Sequence, residues 1–261
     1  MQRVWRNAMM KSVRLLAGTA VLVLGFSAGQ AFAGPVGDTG SFTWTRQSGY
    51  FANDGGEFTL SNLVGISNSD YAASTKDIGI LGSFQTFCIE RDENAASPSY
   101  FIVGSAAVGG GNGGPSPDPI SQGTAWLYSQ FAQGLLNVSQ VPAVTGPGNY
   151  FSAAAPSRAS EAEALQNAIW ALEEETPQFG SVTAANNAYY AAAVAMFGAN
   201  ATANASVGQF NIYVLQNYSN SARSTVAQDF LYYHVPDGGT TSLLLGTALA
   251  GLGLIRRRSG R

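Results

Sequence analysis

The chain carries one cysteine, Cys88, within the run Phe87-Cys88-Ile89-Glu90. Far downstream stands Leu165-Gln166-Asn167-Ala168-Ile169-Trp170, where Gln166 and Trp170 are four residues apart. A cysteine thiolate that meets a glutamine carboxamide in a dry site attacks its carbon, expels ammonia and leaves an internal thioester. Such a bond is an electrophile stored inside the protein. The competing reading is a packed, inert thiol. A cysteine hydrolase is a further rival, but it needs a histidine base. The only histidine is His234, close to the C-terminal tail.

Strands and a helix must bring this pair together. Phe42, Trp44 and Arg46 alternate with Thr43, Thr45 and Gln47, which predicts a strand. Phe58 and Leu60 alternate likewise, after a hairpin turn at Asn53-Asp54-Gly55-Gly56. A further strand is expected from Phe84 to Glu90, with Phe84, Thr86 and Cys88 on one face and Gln85, Phe87 and Ile89 on the other. Tyr100 to Val103 adds another, and residues 104–119 read as a loop rich in Gly, Pro and Ser. Arg91-Asp92-Glu93-Asn94 reads as a solvated turn, and no acidic cluster has the spacing of metal ligands.

Residues 122–136 have helical spacing at Trp126, Leu127, Phe131 and Leu135. Ser160-Glu161-Ala162-Glu163 has the form of a capping box for a helix reaching about Glu175, before Thr176-Pro177. Its predicted buried stripe is Leu165, Ala168, Ile169 and Leu172. Glu173, Glu174 and Glu175 sit at the negative end of that helix, where nothing in the sequence accounts for them. A third helix is expected over 189–197, followed by strands around 210–215 and 226–233. Strands, then helices, then strands predict an α+β fold: a mainly antiparallel β domain with a helical insertion.

Both ends of the chain read as sorting signals. Arg3, Arg6, Lys11 and Arg14 precede an apolar run over 15–29, and Ala31 and Ala33 supply the small residues of a cleavage site. Residues 1–33 are therefore expected to be a secretory signal peptide handled by the Sec translocon and signal peptidase. At the other end, Val235-Pro236-Asp237-Gly238-Gly239 precedes an apolar or small stretch over 240–255, closed by Arg256, Arg257 and Arg258. Sixteen helical residues rise about 24 Å, somewhat short of a ~30 Å hydrocarbon core, and the arginines would act as a cytoplasmic membrane stop. A C-terminal transmembrane helix is expected, anchoring the protein transiently or permanently.

The region between, 34–234, is long enough for one domain with a full core. It holds five basic residues against fifteen acidic ones, a net charge near −10. That excludes a nucleic-acid binder and suits a soluble surface protein. No cofactor is expected.

Phe87-Cys88-Ile89-Glu90 followed by Leu165-Gln166-Asn167-Ala168-Ile169-Trp170 resembles the motif pair of bacterial thioester domains, the covalent adhesins of cell surfaces. The resemblance implies a thioester between Cys88 and Gln166, shielded by Phe87, Ile89, Glu90 and Trp170, in a β domain with a helical part. Glu90 would orient or deprotonate groups there, or serve only as a strand-end charge. The protein would be a surface attachment protein and not an enzyme, its target an amine-bearing molecule of the cell surface or extracellular matrix. The crosslink would close a loop of 78 residues, restricting the unfolded chain by about 4 kcal/mol. The tail, residues 235–261, resembles the PEP-CTERM sorting signal, which implies an exosortase as partner and a surface or biofilm-matrix destination. A non-reactive structural or carbohydrate-associated matrix protein is the alternative.

Overall fold

The computed structural model describes residues 35–53, 55–72, 75, 82–109, 116–138, 148–152, 157–175 and 181–235. The expected signal peptide with Ala31 and Ala33, the motif from Pro236 to Gly239, the apolar stretch and Arg256, Arg257 and Arg258 lie outside them. Among the described residues no helix is long and apolar enough to cross a membrane.

Six antiparallel strands form the main sheet: β1 (Thr39–Thr45), β4 (Phe58–Val64), β5 (Phe84–Thr86), β6 (Ser99–Gly104), β9 (Ile212–Tyr218) and β10 (Val226–Tyr233). Their order is β10-β9-β6-β1-β4-β5. Two short hairpins flank it, β2 (Phe51–Ala52) with β3 (Gly55–Gly56), and β7 (Ala106–Ala107) with β8 (Asp118–Pro119). The second pair ties together the two ends of what the sequence presents as one open loop. In β1, Gly40 is required by close approach: a Cβ there would lie 1.8 Å from the Val64 carbonyl oxygen.

The sheet closes on itself through the segment that carries the cysteine. The strand expected over 84–90 is regular only to Thr86, and the chain then crosses from β4 to β10. Cys88 bridges Phe230, with Ile89 N–H donating to the Asp229 carbonyl at 3.2 Å and Leu231 N–H to the Phe87 carbonyl at 3.2 Å. The result is a barrel. Its interior is aromatic, with Phe58 and Phe230 ring centroids 5.1 Å apart and Phe42 against Phe230 at 5.9 Å. Opposite its one wall lies a second core, built on helices α1 (Gln122–Ala132), α2 (Ser157–Leu172) and α3 (Ala188–Phe197).

The wall between the two cores is buried on both faces. In β9, Tyr213 and Leu215 face the barrel interior while Ile212 and Val214 face the helices. The cysteine segment divides likewise, with Cys88 inside and Phe87 and Ile89 among the helices. The period of two in the sequence is thus read from both sides.

The helices start and stop by local chemistry. Ser121 caps α1, its Oγ accepting from Thr124 N–H at 3.1 Å, and Asn187 caps α3 through Tyr189 and Tyr190. Leu135, expected in the α1 stripe, lies beyond the helix and is exposed. The expected capping box is not formed. Helix α2 begins three residues earlier, at Ser157, so Ser160 lies inside it. Glu161 instead accepts from Gly148 N–H and from the Tyr189 hydroxyl, and Glu163 accepts from Asn53 Nδ2 at 2.6 Å. The acids after α2 find a use as well. Glu173 turns to the start of α1, accepting from Ser121 N–H at 3.1 Å and Ser121 Oγ at 2.8 Å. A carboxyl misplaced at one helix C-terminus serves the positive N-terminus of another.

Candidate functional site

Cys88 and Gln166, 78 positions apart, meet. Because the flanking hydrogen bonds belong to Ile89 and Leu231, Cys88 and Phe230 form a non-hydrogen-bonded pair, and the N–H and C=O of Cys88 face away from β10. On that side β4 has already ended, its last partner being Thr86 opposite Phe58. The side chain of Gln166 enters the gap. Its Oε1 accepts from Cys88 N–H at 3.1 Å, and its Nε2 donates to the Cys88 carbonyl at 2.9 Å. The carboxamide completes the ladder as a peptide group of a neighbouring strand would. Gln166 is 0% exposed and Cys88 4%, so both hydrogen bonds are dry.

Helix α2 serves both cores from one position. Leu165, Ala168, Ile169 and Leu172 pack among the helices, as the stripe predicts. Trp170, one turn past Gln166, enters the aromatic cluster of the barrel. It also borders a cleft of about 500 Å³ that reaches Cys88, with Trp44, Phe58, Arg46 and Glu93 among the other walls. Arg91 lies over the Trp170 ring, 6.0 Å from its centroid. Burial pushes the Cys88 thiol well above the usual range; the Arg46 charge opposes this and Glu90 adds to it.

Two of the expected shielding residues stand elsewhere. Phe87 and Ile89 occupy the opposite face of the strand, and Phe87 packs edge-to-face on Phe131 at 5.1 Å between centroids. Strand alternation forbids them the side on which Cys88 lies. Trp44, Phe58 and Trp170 line the cleft instead.

Glu90 is wholly buried and belongs to a group of carboxyls. Among the described residues no donor group reaches either of its oxygens, and the side chain it meets is the carboxyl of Glu93. Both carboxyls press on the backbone of Gly109, where a Cβ would lie 2.4 Å from Glu93 Oε1 and 2.9 Å from Glu90 Oε1. Asp229 is close by, seated by a bulge in β10, and accepts from Val108 N–H and Asn217 N–H, each at 2.6 Å. Burial, then the charges of Asp229 and Glu93, push the Glu90 carboxyl up to about 10; burial lifts Asp229 to about 8. Among the described residues no three His, Cys, Asp or Glu side chains converge as a metal site would require. The sequence offered one sign of this group, an acid in the middle of the apolar strand 226–233; Glu93 read only as a solvated turn.

His234 stands apart from the cleft, its Nδ1 3.2 Å from the Tyr232 hydroxyl. Just after it, at the last described residue, Val235 N–H donates to the Asp70 carbonyl at 2.9 Å. Residues 234–259 match the VPDSG-CTERM motif, with Gly238 where the motif name has serine. No curated protein and no solved structure matches the chain. The match covers the tail alone. It identifies an exosortase-type sorting signal, which implies an exported protein, handled by the secretion machinery and an exosortase and destined for the cell surface or extracellular space.

Proposed function

We propose that the exported domain is a surface or matrix attachment protein whose Cys88 and Gln166 condense to an internal thioester. The observation that carries this reading is the pair of hydrogen bonds holding the Gln166 carboxamide against Cys88, the sole cysteine, in a dry site beside a cleft. Closing the bond joins Sγ of Cys88 to Cδ of Gln166 and releases the amide nitrogen as ammonia. A primary amine on a target then attacks Cδ, Sγ leaves with a proton as the thiol, and a stable amide links the two molecules. The chain is consumed in this reaction, so it acts once and is not an enzyme. A C-terminal membrane anchor, permanent or removed by the exosortase, would fix the domain at the surface beforehand.

A second reading has its own support. The Gln166 carboxamide satisfies both backbone groups of Cys88, as a purely structural side chain would, and burial holds the thiol protonated. The protein would then be a non-reactive structural or carbohydrate-associated matrix component. Incubating the purified exported protein with a biotinylated primary amine separates the two. The thioester reading expects a covalent adduct on the peptide containing Gln166, absent from Cys88→Ala. No adduct at any amine concentration would leave the structural reading.

A further inference from the structure

We propose that Glu93 and Glu90 form a proton relay for this site, Glu93 as the catalytic group at the cleft and Glu90 as the positioning residue behind it. The inference rests on the thioester reading above. Three observations assemble it. Glu93 and Cys88 border the same cleft, so a nucleophile admitted to one is admitted to the other. Glu90, two residues past Cys88, is buried with no donor reaching it among the described residues, and has the Glu93 carboxyl as its neighbour. The Gly109 backbone presses on both, leaving no room for a side chain that would part them.

Electrostatics then sets the number of protons. Glu90 is faced by Glu93 from its own loop, by Asp229 of β10 and by Glu175 beyond α2. The cations of the neighbourhood, Arg46 over Phe51 and Arg91 over Trp170, stand along the cleft. With Glu90, Asp229 and Glu175 buried and Glu93 partly buried beside them, these carboxyls do not all ionise. The two backbone N–H bonds that Asp229 accepts only partly offset its burial, and Glu90, which no donor among the described residues reaches, keeps a proton. At neutral pH the Glu90–Glu93 pair therefore holds one proton and one negative charge.

Both covalent steps need such a pair. On closing, Glu93 takes the Cys88 thiol proton as Sγ attacks Cδ, and the pair returns a proton to the departing nitrogen, which leaves as ammonia. On opening, Glu93 takes a proton from the nitrogen of the incoming amine as the N–Cδ bond forms. The pair then gives one to Sγ as the S–Cδ bond breaks. In each case the pair ends as it began. General acid–base catalysis of this kind is worth roughly 10²–10⁴-fold.

The test compares the exported protein with its Glu93→Gln and Glu93→Asp variants. Intact mass reads the bond, and the rate of methylamine addition, per free-base methylamine, is followed against pH. In the parent the rate should fall as acidification protonates Glu93, an inflection raised above the ordinary carboxylate range by burial. Glu93→Gln should react about 100-fold more slowly and lose the inflection, whereas Glu93→Asp should retain it. A Glu93→Gln protein at full calculated mass, with parent and Glu93→Asp one ammonia lighter, would place the relay in the closing step. A thioester in all three with equal rates and superimposable profiles overturns the relay alone. Full calculated mass in all three overturns the thioester reading, and the relay with it.

Discussion

Glu57 and Glu90 are both buried glutamates beside the barrel, and the fold treats them in opposite ways. Glu57 accepts from Arg158 Nε at 2.8 Å and from the Tyr150 hydroxyl at 2.6 Å. The Arg158 guanidinium in turn lies over the Tyr150 ring, 4.6 Å from its centroid. Arg158 and Tyr150 offset part of the cost of burying this carboxyl, which burial still lifts above its ordinary range, and the ion pair fastens the strand β4 side of the barrel to helix α2. Among the described residues no ion pair reaches Glu90; acids surround it, and its charge is suppressed by keeping a proton. A fold that can supply an arginine to one glutamate and supplies another carboxyl to the next has separated two tasks. One carboxyl holds elements together, and the other is kept in a state suited to proton transfer.

The contrast can be broken at its stable side first. Arg158→Ala leaves Glu57 buried without its cation and should cost about 3–5 kcal/mol in chemical denaturation. In a Cys88→Ala background, where no thioester can form, Gln166→Ala removes both partners of the residue 88 backbone and opens a cavity, with an expected loss of about 2–4 kcal/mol. Glu57→Gln keeps the shape but removes the ion pair, and about 1–3 kcal/mol should go by the same measurement.

Glu90→Gln should behave oppositely. The Glu90 carboxyl binds its proton more tightly folded than unfolded, so between its ordinary range near 4.5 and about 10 the native state holds the extra proton. Stability from this group is fully present below that window and declines as pH rises through it. The variant lacks the decline. Its melting temperature should match the parent near pH 4 and exceed it by a few degrees at pH 8, read by thermal scans across pH. A lower melting temperature for Glu90→Gln at pH 8 would mean that the carboxylate is compensated after all, and the contrast with Glu57 would disappear.

Much of this was legible in the chain, for definable reasons. Alternation at Phe42 and Trp44, at Phe58 and Leu60, and along 226–233 marks real strands, because one face of each is dry and period two survives any register. The Leu165, Ala168, Ile169 and Leu172 stripe marks α2 for the same kind of reason. Barrel closure was not legible, since nothing local says that Cys88 leaves β4 for β10. Nor was the neighbour of Glu90: a residue in a turn of apparently solvated charges shows its partial burial only once Gly109 and Asp229 are folded against it. The start of α2 was misread because Ser160 and Glu163 satisfy the capping pattern, whereas Glu161 is drawn inward by Gly148 and Tyr189. Of the site itself, the pair of residues was readable from chemistry and the cleft was not. Phe87 and Ile89, adjacent in sequence to Cys88, are on the far side of the wall.

The most direct measurement is the intact mass of the purified exported protein under native, amine-free conditions, beside its Cys88→Ala variant. The account predicts a parent lighter than its calculated mass by one ammonia, with no titratable thiol, and a variant at its full calculated mass. A parent at full mass with one titratable thiol would contradict it. Gln166 would then be the side chain that completes the Cys88 ladder and nothing more.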